Sequence, residues 1–439
     1  LISQKIVLIG AGSLQFGLGN VGNILQSEIL TGSTICLHDI NEKLLEFTSK
    51  ACQSAIEKRN LDFKLESTTD RHEALKNANF IINSIEIPPR FKLLDMDFRI
   101  PQYYGCKQIT GENGGPGAFF HSLRVIPPIL DICADIQKIC PNAFVINFSN
   151  PMTRICLAIN RKFPSIKLVG LCHEYQDFLP ILTQMLNIPI NDLEIKAGGF
   201  NHFGVILEIK DKNTNQDLYP KIRKKGPKFL RSIERGPVLD NGYDLIAFIL
   251  ETYNYIPYTT DSHYGEYMQW GWEQANIHAV REFMESYKLG LQFQFKQQKR
   301  LIDNGKGYKV VQPDEENAIP IIEAILTDSK NIEPSVNIPN ENIITNITKD
   351  AFIECPAIIS KNGAKGIRLG EYPIGLAALL RKQYSVQDLT VEAILKRSKN
   401  LALQALLADP VIETYWQAKH ILDEMLIKQE KYIQIQLDW

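Results

Sequence analysis

The stretch Lys5-Ile-Val-Leu-Ile9-Gly10-Ala11-Gly12-Ser13 decides the fold. Its first five residues are mostly apolar and β-branched, which predicts a buried strand, and the glycines end that strand abruptly. Glycines at this point let the backbone turn sharply and approach a pyrophosphate. The helical stretch that follows, to about Leu30, aims free N–H groups and a favourable dipole at the same anion. Gln15 stands where a third loop glycine is usual, so the loop alone is a weak signal. The second strand, Ser33–His38, strengthens it by ending on Asp39. A carboxylate there accepts hydrogen bonds from the adenosine ribose and repels a 2′-phosphate. Gly10, Gly12, Ser13 and Asp39 are the candidate cofactor-binding residues, with NAD favoured over NADP. The competing reading is a tight strand–helix turn followed by an N-capping aspartate.

Outward from this loop, strand and helix signals alternate. Leu44, Phe47, Ala51 and Ala55 share one helical face. Asn79–Ile87, Phe144–Phe148 and Lys167–Leu171 are further apolar runs, and Ser122–Cys140 reads as a helix between the first two of them. Alternation of this kind predicts an α/β chain with a Rossmann-like, doubly wound parallel sheet over residues 1–195. The pattern then loosens. Lys196–Ile209 suggests two strands broken at Asn201-His202, Pro227–Asn304 is irregularly helical, and the chain is helical from Val391 onward. Residues 196–439 are therefore expected to form a second, α+β and mainly helical, catalytic and oligomerisation domain. The basic cluster Lys221–Lys228 reads as a solvated loop.

The chain has 439 residues, enough for two domains, and a formal net charge of −2. That balance gives no field favouring nucleic acid or an anionic membrane. No run of about 18 apolar residues is present, and no signal-peptide pattern precedes the first strand. The eight cysteines include no CxxC pair. In a chain this long, that predicts reduced thiols and a cytoplasmic location.

The reactive residue types gather in five segments. Cys172-His173-Glu174 follows directly on an apolar strand, where ligands collect in parallel sheets. Thirty residues later comes Asn201-His202-Phe203. A thiolate and an imidazole make two metal ligands with positions left open for substrate. From spacing alone, a buried structural cysteine and a satisfied histidine explain the pair as well. Thr110-Gly-Glu112-Asn113-Gly-Gly-Pro-Gly117 and Asn147-Phe-Ser-Asn150-Pro151-Met152 suggest backbone shaped around a ligand. Asp261-Ser-His263-Tyr264-Gly-Glu266-Tyr267 concentrates acid, base and phenol groups, or is simply a polar loop with aromatic packing.

Taken together, these segments resemble glycoside hydrolase family 4. The matching parts are Gly10–Ser13, Gly114–Gly117, Asn147–Met152, Gly170–His173 and Asn201–Phe203, with Val336–Asn340, Thr345-Asn-Ile and Cys355-Pro-Ala further on. The resemblance implies a redox-assisted elimination. NAD⁺ takes hydride from sugar C3, the resulting ketone acidifies the C2 proton, a base removes it, and the C1–O bond breaks. Water then adds and the hydride returns, so no net oxidation occurs. This family is a known exception to two-carboxylate hydrolysis.

The resemblance also implies roles. Cys172 and His202 match the family's ligands for Mn²⁺ or another divalent transition metal. Asn150 matches a substrate-contacting asparagine, and Glu112 and Arg90 are candidate sugar contacts. Tyr264 is the candidate C2 base, with His263 as the alternative. A phenol has an ordinary pKa near about 10, so it would need help to act as that base. His173 stands where phospho-α-glucoside members carry a leaving-group acid. A histidine after the metal cysteine resembles members acting on unphosphorylated α-glycosides, and Cys-His-Glu looks like the α-galacturonidase branch. Arg90, His121 and Arg124 are candidate partners for a uronate carboxylate. The expected substrate is a small α-galacturonide or α-galactoside, and the expected assembly a homodimer or homotetramer. Two rivals share the nucleotide loop. A 2-hydroxy-acid dehydrogenase of the lactate/malate type would accumulate NADH and needs no thiolate–imidazole pair. A non-catalytic NAD-binding protein would show no metal-stimulated turnover.

Overall fold

The computed structural model describes residues 3–12, 17–233 and 242–438. One sheet runs through the whole of it. Its strands are β1 (Lys5–Ile9), β2 (Thr34–His38), β3 (Lys64–Thr68), β4 (Phe80–Asn83), β5 (Phe144–Asn147), β6 (Lys167–Gly170), β7 (Leu193–Phe200), β8 (Phe203–Asp211), β9 (Asn331–Pro339), β10 (Phe352–Ser360) and β11 (Gly363–Gly366). The order is β3-β2-β1-β4-β5-β6-β9-β10-β7-β8, with β11 on β10. The first six strands are parallel. From β9 onward the pairing is antiparallel. The chain reverses its direction of travel across the sheet between β1 and β4, which opens a crevice at their carboxyl ends.

Both faces of the parallel half are covered, and β1 shows why. Ile6 and Leu8 enter one core with the helices Gly17–Gln26 and Glu42–Arg59. Val7 and Ile9 point the other way, into a core with Ala74, Leu75, Ile132 and Ile136. Successive strand residues alternate between faces, so an unbroken apolar run requires cover on both. The helices Met152–Lys162 and Tyr415–Gln429 share a further apolar core with the helix Gly115–Ile139.

Several elements differ from the sequence reading. β3 was not expected, because Lys64-Leu-Glu-Ser-Thr68 is a polar edge strand with no buried residue. The helix expected from Ser122 begins at Gly115, where Pro116 suits the first turn. Lys221–Lys228 is not a loop but part of the helix Tyr219–Ser232, which buries Ile222 and Leu230 and leaves most of its lysines outside. The two strands expected around Asn201-His202 are β7 and β8, and the 195/196 division falls inside β7. No helix among the described residues is long and apolar enough to cross a membrane.

Candidate active site

The segments after β4, β5 and β6 open onto one cavity of ≈ 370 Å³. Ser84, Glu86, Asn150, Cys172, His173 and Glu174 line it from the parallel sheet. His202, Ser262, His263, Met284 and Tyr287 close it from the second half of the chain.

The glycine loop leads towards this cavity. Gly10 adopts a φ of +85°, and a β-carbon there would come within 3.0 Å of the Ser84 and Ile85 backbone. The Gly12 amide donates to Asp39 Oδ2 at 2.9 Å, and the Asn41 amide donates to Oδ1 at 2.8 Å. A β-carbon on Gly12 would sit 2.8 Å from that Asp39 oxygen. Asp39 is not the cap of the next helix. Asn41 is, accepting from the Leu44 amide at 3.2 Å. That leaves a half-buried carboxylate at the end of β2, where a dinucleotide cradle has its ribose-binding acid, beside Ile40, which is 84% exposed. Ser13 lies outside the described residues.

Cys172 Sγ and His202 Nε2 are 3.2 Å apart. Cys172 emerges from the end of β6, and His202 occupies the β7–β8 turn with a φ of +60°, a conformation costly for a residue with a β-carbon. The turn is held by Asn201, whose Nδ2 donates to Glu354 Oε2 at 2.9 Å and whose carbonyl accepts from Tyr267 at 3.1 Å. Burial, with Glu354 and Glu174 nearby, pushes the Cys172 thiol well above its usual value. Burial, with His263 and His173 nearby, pushes His202 well below its own. Both side chains are thus poised neutral, and a cation would bind the thiolate form of the sulfur and release its proton.

The ligating atoms of Glu174, His202 and His263 all lie within 4.8 Å of one another. His263 Nε2 stands 3.5 Å from Glu174 Oε1, while its Nδ1 is buried with no hydrogen-bond partner. Sulfur, imidazole and carboxylate donors with an orphaned ring nitrogen fit a divalent transition metal and a substrate group beside it.

Around these, Arg90 lies 3.4 Å from Glu112 and 3.9 Å from Glu86. Burial alone would raise the Glu86 carboxyl, but His121 and Arg90 bring it down to about 2. His173 has Glu316 at 3.4 Å and Asp177 at 3.6 Å. Burial opposes its charge, yet Glu316, Glu174 and Asp177 outweigh that and raise it to about 9. Asn150 lines the same cavity.

The structure therefore brings together Cys172, His202, His173, His263, Asn150, Glu112 and Arg90. It does not bring Tyr264 with them. That residue is 1% exposed, its ring lies 4.7 Å from Phe203, and burial raises its phenol far above the ordinary range. Successive side chains of the short helix Asp261–Tyr264 diverge by about 100°, so turning His263 to the cavity turns Tyr264 into the core. Arg124 is also absent from the cavity. It is buried in a bidentate pair with Asp97 and reaches Gln429. His121 stands behind Glu86, at 3.3 Å. Sequence reasoning missed Glu86 and Glu316 and gave Glu174 no role of its own. Only Glu174 carried a signal, as the acid next to Cys172-His173.

Known proteins point the same way. Residues 5–188 match the model for family 4 glycosyl hydrolases, and residues 197–412 match that of the family's C-terminal domain. An α-glucosidase of Erwinia rhapontici is 40% identical, over 98% of this chain and 99% of the relative. An α-galactosidase of Bacillus subtilis is 29% identical, over 95% and 96%. The fold is that of a 6-phospho-α-glucosidase from gut microorganisms solved with NAD and Mn²⁺, with a TM-score of 0.86 over the full length of both chains at 23% identity. A nucleotide-type crevice, a thiol–imidazole pair at its mouth and end-to-end similarity to glycosidases converge: the chain belongs to glycosyl hydrolase family 4.

Proposed function

We propose that this protein hydrolyses unphosphorylated, uncharged α-hexosides, α-glucosides foremost, with NAD and a divalent cation such as Mn²⁺ as cofactors. The observation carrying the reading is the 3.2 Å approach of Cys172 to His202 inside the cavity that also holds His173, His263 and Asn150. When bound, the dinucleotide supplies reversible hydride transfer at sugar C3, and the cation supplies Lewis-acid stabilisation of the neighbouring oxygens. The chain's own groups do the rest. Gly10, Gly12 and Asp39 seat the dinucleotide. Cys172 and His202 hold the cation. His263 takes the C2 proton, oriented by Glu174, and His173 gives a proton to the departing oxygen. Asn150 and Glu112 orient the sugar hydroxyls. Residues 1–195 form the cofactor half, and residues 196–439 contribute His202 and His263. Eight cysteines, none in a disulfide, suit a reducing cytoplasm.

Charge supports the choice of a neutral sugar. Among the described lining residues Arg90 is the sole lysine or arginine, beside Glu86, Glu112, Glu174 and Asp177. Its guanidinium already faces Glu86 and Glu112. A uronate or a 6-phosphate would meet four lining carboxylates, with Arg90 already facing Glu86 and Glu112 and the charged His173 already facing Glu316 and Asp177, which disfavours the α-galacturonide suggested by Cys-His-Glu. The 40% identity to an α-glucosidase supports reading glucosides ahead of galactosides.

The test is a panel of nitrophenyl α-glucoside, α-galactoside, α-galacturonide and α-glucoside 6-phosphate, with and without NAD⁺ and Mn²⁺. The neutral glucoside should turn over fastest and only with both cofactors. Preference for the uronate or phosphate would overturn the charge argument. Full activity without cofactors would overturn the scheme, and net accumulation of NADH would favour a dehydrogenase.

A further inference from the structure

His202 has two ring nitrogens, and only one faces Cys172. The other, Nδ1, is met at 3.1 Å by the side-chain amide nitrogen of Asn113, inside the protein. Neutral imidazole carries one hydrogen, so whatever Asn113 presents to Nδ1 decides what Nε2 presents to the cavity. With the NH₂ of Asn113 donating, Nδ1 is the acceptor and the ring hydrogen sits on Nε2, aimed at the sulfur of Cys172. That tautomer cannot ligate a cation through Nε2. Rotating the Asn113 amide by half a turn places its oxygen on Nδ1. The hydrogen then moves to Nδ1, and the Nε2 lone pair faces the cavity.

The backbone of Asn113 is fixed while its amide is not. Glu266 is fully buried, and its Oε2 accepts from the amides of Asn113 and Gly114, each at 2.6 Å. Its Oε1 accepts from the Glu112 amide at 3.2 Å and from the Thr110 hydroxyl. A β-carbon on Gly114 would lie 2.6 Å from the Glu266 carbonyl oxygen, so the loop has no room to shift. The freedom left to Asn113 is rotation about its last side-chain bond. His202 is itself buried, and its ring packs on that of His263 at 4.2 Å, so the ring has little latitude.

We propose that Asn113 is a positioning residue that selects the tautomer of His202, and that its amide turns over when a cation enters between Cys172 and His202. Glu266 is the clamp that keeps Asn113 in reach. Partners of this kind set both the orientation and the basicity of a ligating histidine. Only the metal arm of this inference rests on the function proposed above.

The experiment is ¹⁵N NMR of histidine-labelled, metal-free protein at pH 8, compared with Asn113→Asp and Asn113→Leu. The unmodified protein should carry the His202 hydrogen on Nε2. Asn113→Asp, which offers only oxygen, should move it to Nδ1, and Asn113→Leu should leave a mixture. Mn²⁺ affinity, read by the EPR signal of free Mn²⁺, should fall about 10–100-fold in Asn113→Leu and be largely kept in Asn113→Asp. An identical His202 tautomer in all three proteins, or unchanged Mn²⁺ affinity in Asn113→Leu, overturns the proposal. If the variants do not fold, Cd²⁺ added to the unmodified protein decides. The hydrogen must move from Nε2 to Nδ1 on binding, and a hydrogen already on Nδ1 without metal overturns it. Should neither cation bind at all, the metal reading fails, while the response to Asn113→Asp still tests the tautomer selection.

Discussion

His263 Nε2 stands 3.5 Å from Glu174 Oε1, with the His263 ring centroid 4.2 Å from that of His202. A carboxylate behind an imidazole orients it and stabilises the charge it gains on taking a proton. Tyr264, the next residue, has neither the exposure nor the ionisability for that work.

The consequence is a contrast between neighbours. His263→Ala should lower kcat by about 10²–10⁴-fold and abolish incorporation of deuterium at C2 when the reaction runs in D₂O. Tyr264→Phe keeps the buried ring and should stay within a few-fold of the parent. The opposite pattern would return the base to Tyr264.

Cys172→Ser replaces a soft sulfur with a poor ligand while leaving the nucleotide crevice intact. Mn²⁺ affinity, followed by EPR, should drop by at least about tenfold, and NAD affinity, followed by calorimetry, should not change. Unaltered Mn²⁺ binding would take Cys172 out of the metal site.

Asp39 anchors the glycine loop through the Gly12 amide. Asp39→Ala removes an ionised acceptor, an interaction worth about 1.5–3 kcal/mol, or roughly 10–100-fold in NAD affinity. It also removes the repulsion of a 2′-phosphate, so the NAD-to-NADP preference measured by fluorescence titration should narrow. A preference left intact would show that discrimination lies elsewhere.

Glu333, on β9, is 7% exposed and accepts from Asn317 Nδ2 at 2.7 Å. Burial raises its carboxyl to about 7, against the opposing effect of Asn317. Between its unfolded and folded values the native chain holds a proton that the unfolded chain releases. Its contribution to stability therefore falls as pH rises from about 5 through 7. Glu333→Gln is permanently neutral and can still accept from Asn317. Relative to the parent it should have a similar Tm at pH 5 and a higher one at pH 8, by a free energy on the order of 1–3 kcal/mol. Parallel Tm curves for the two proteins would remove the effect from Glu333.

Much of this was legible in one dimension. The strand before Gly10, the acid ending β2 and the cysteine following β6 are local patterns, readable because strand ends and glycine turns leave marks within a few residues. The β7–β8 hairpin was visible too, as a break at Asn201-His202. The polar edge strand Lys64–Thr68 was not, because its pairing with β2 is supplied by backbone groups rather than by an apolar pattern. Arg124 looked like a ligand for an acidic sugar and proved to be a buried tie to Asp97 and Gln429.

The sequence by itself determined the cofactor crevice and the residue types that the chemistry needs, since each is written in contiguous residues whose backbone conformation follows from their own sterics. Tertiary structure alone decided which of His263 and Tyr264 faces the cavity, that Glu174 and Asn113 flank the two histidines, and that the Arg90 guanidinium is already matched by Glu86 and Glu112. The contacts of Glu174 with His263 and of Asn113 with His202 each join residues 89 positions apart. Their geometry comes from how β7, β9 and β10 close the sheet beside β6, and no local propensity encodes it.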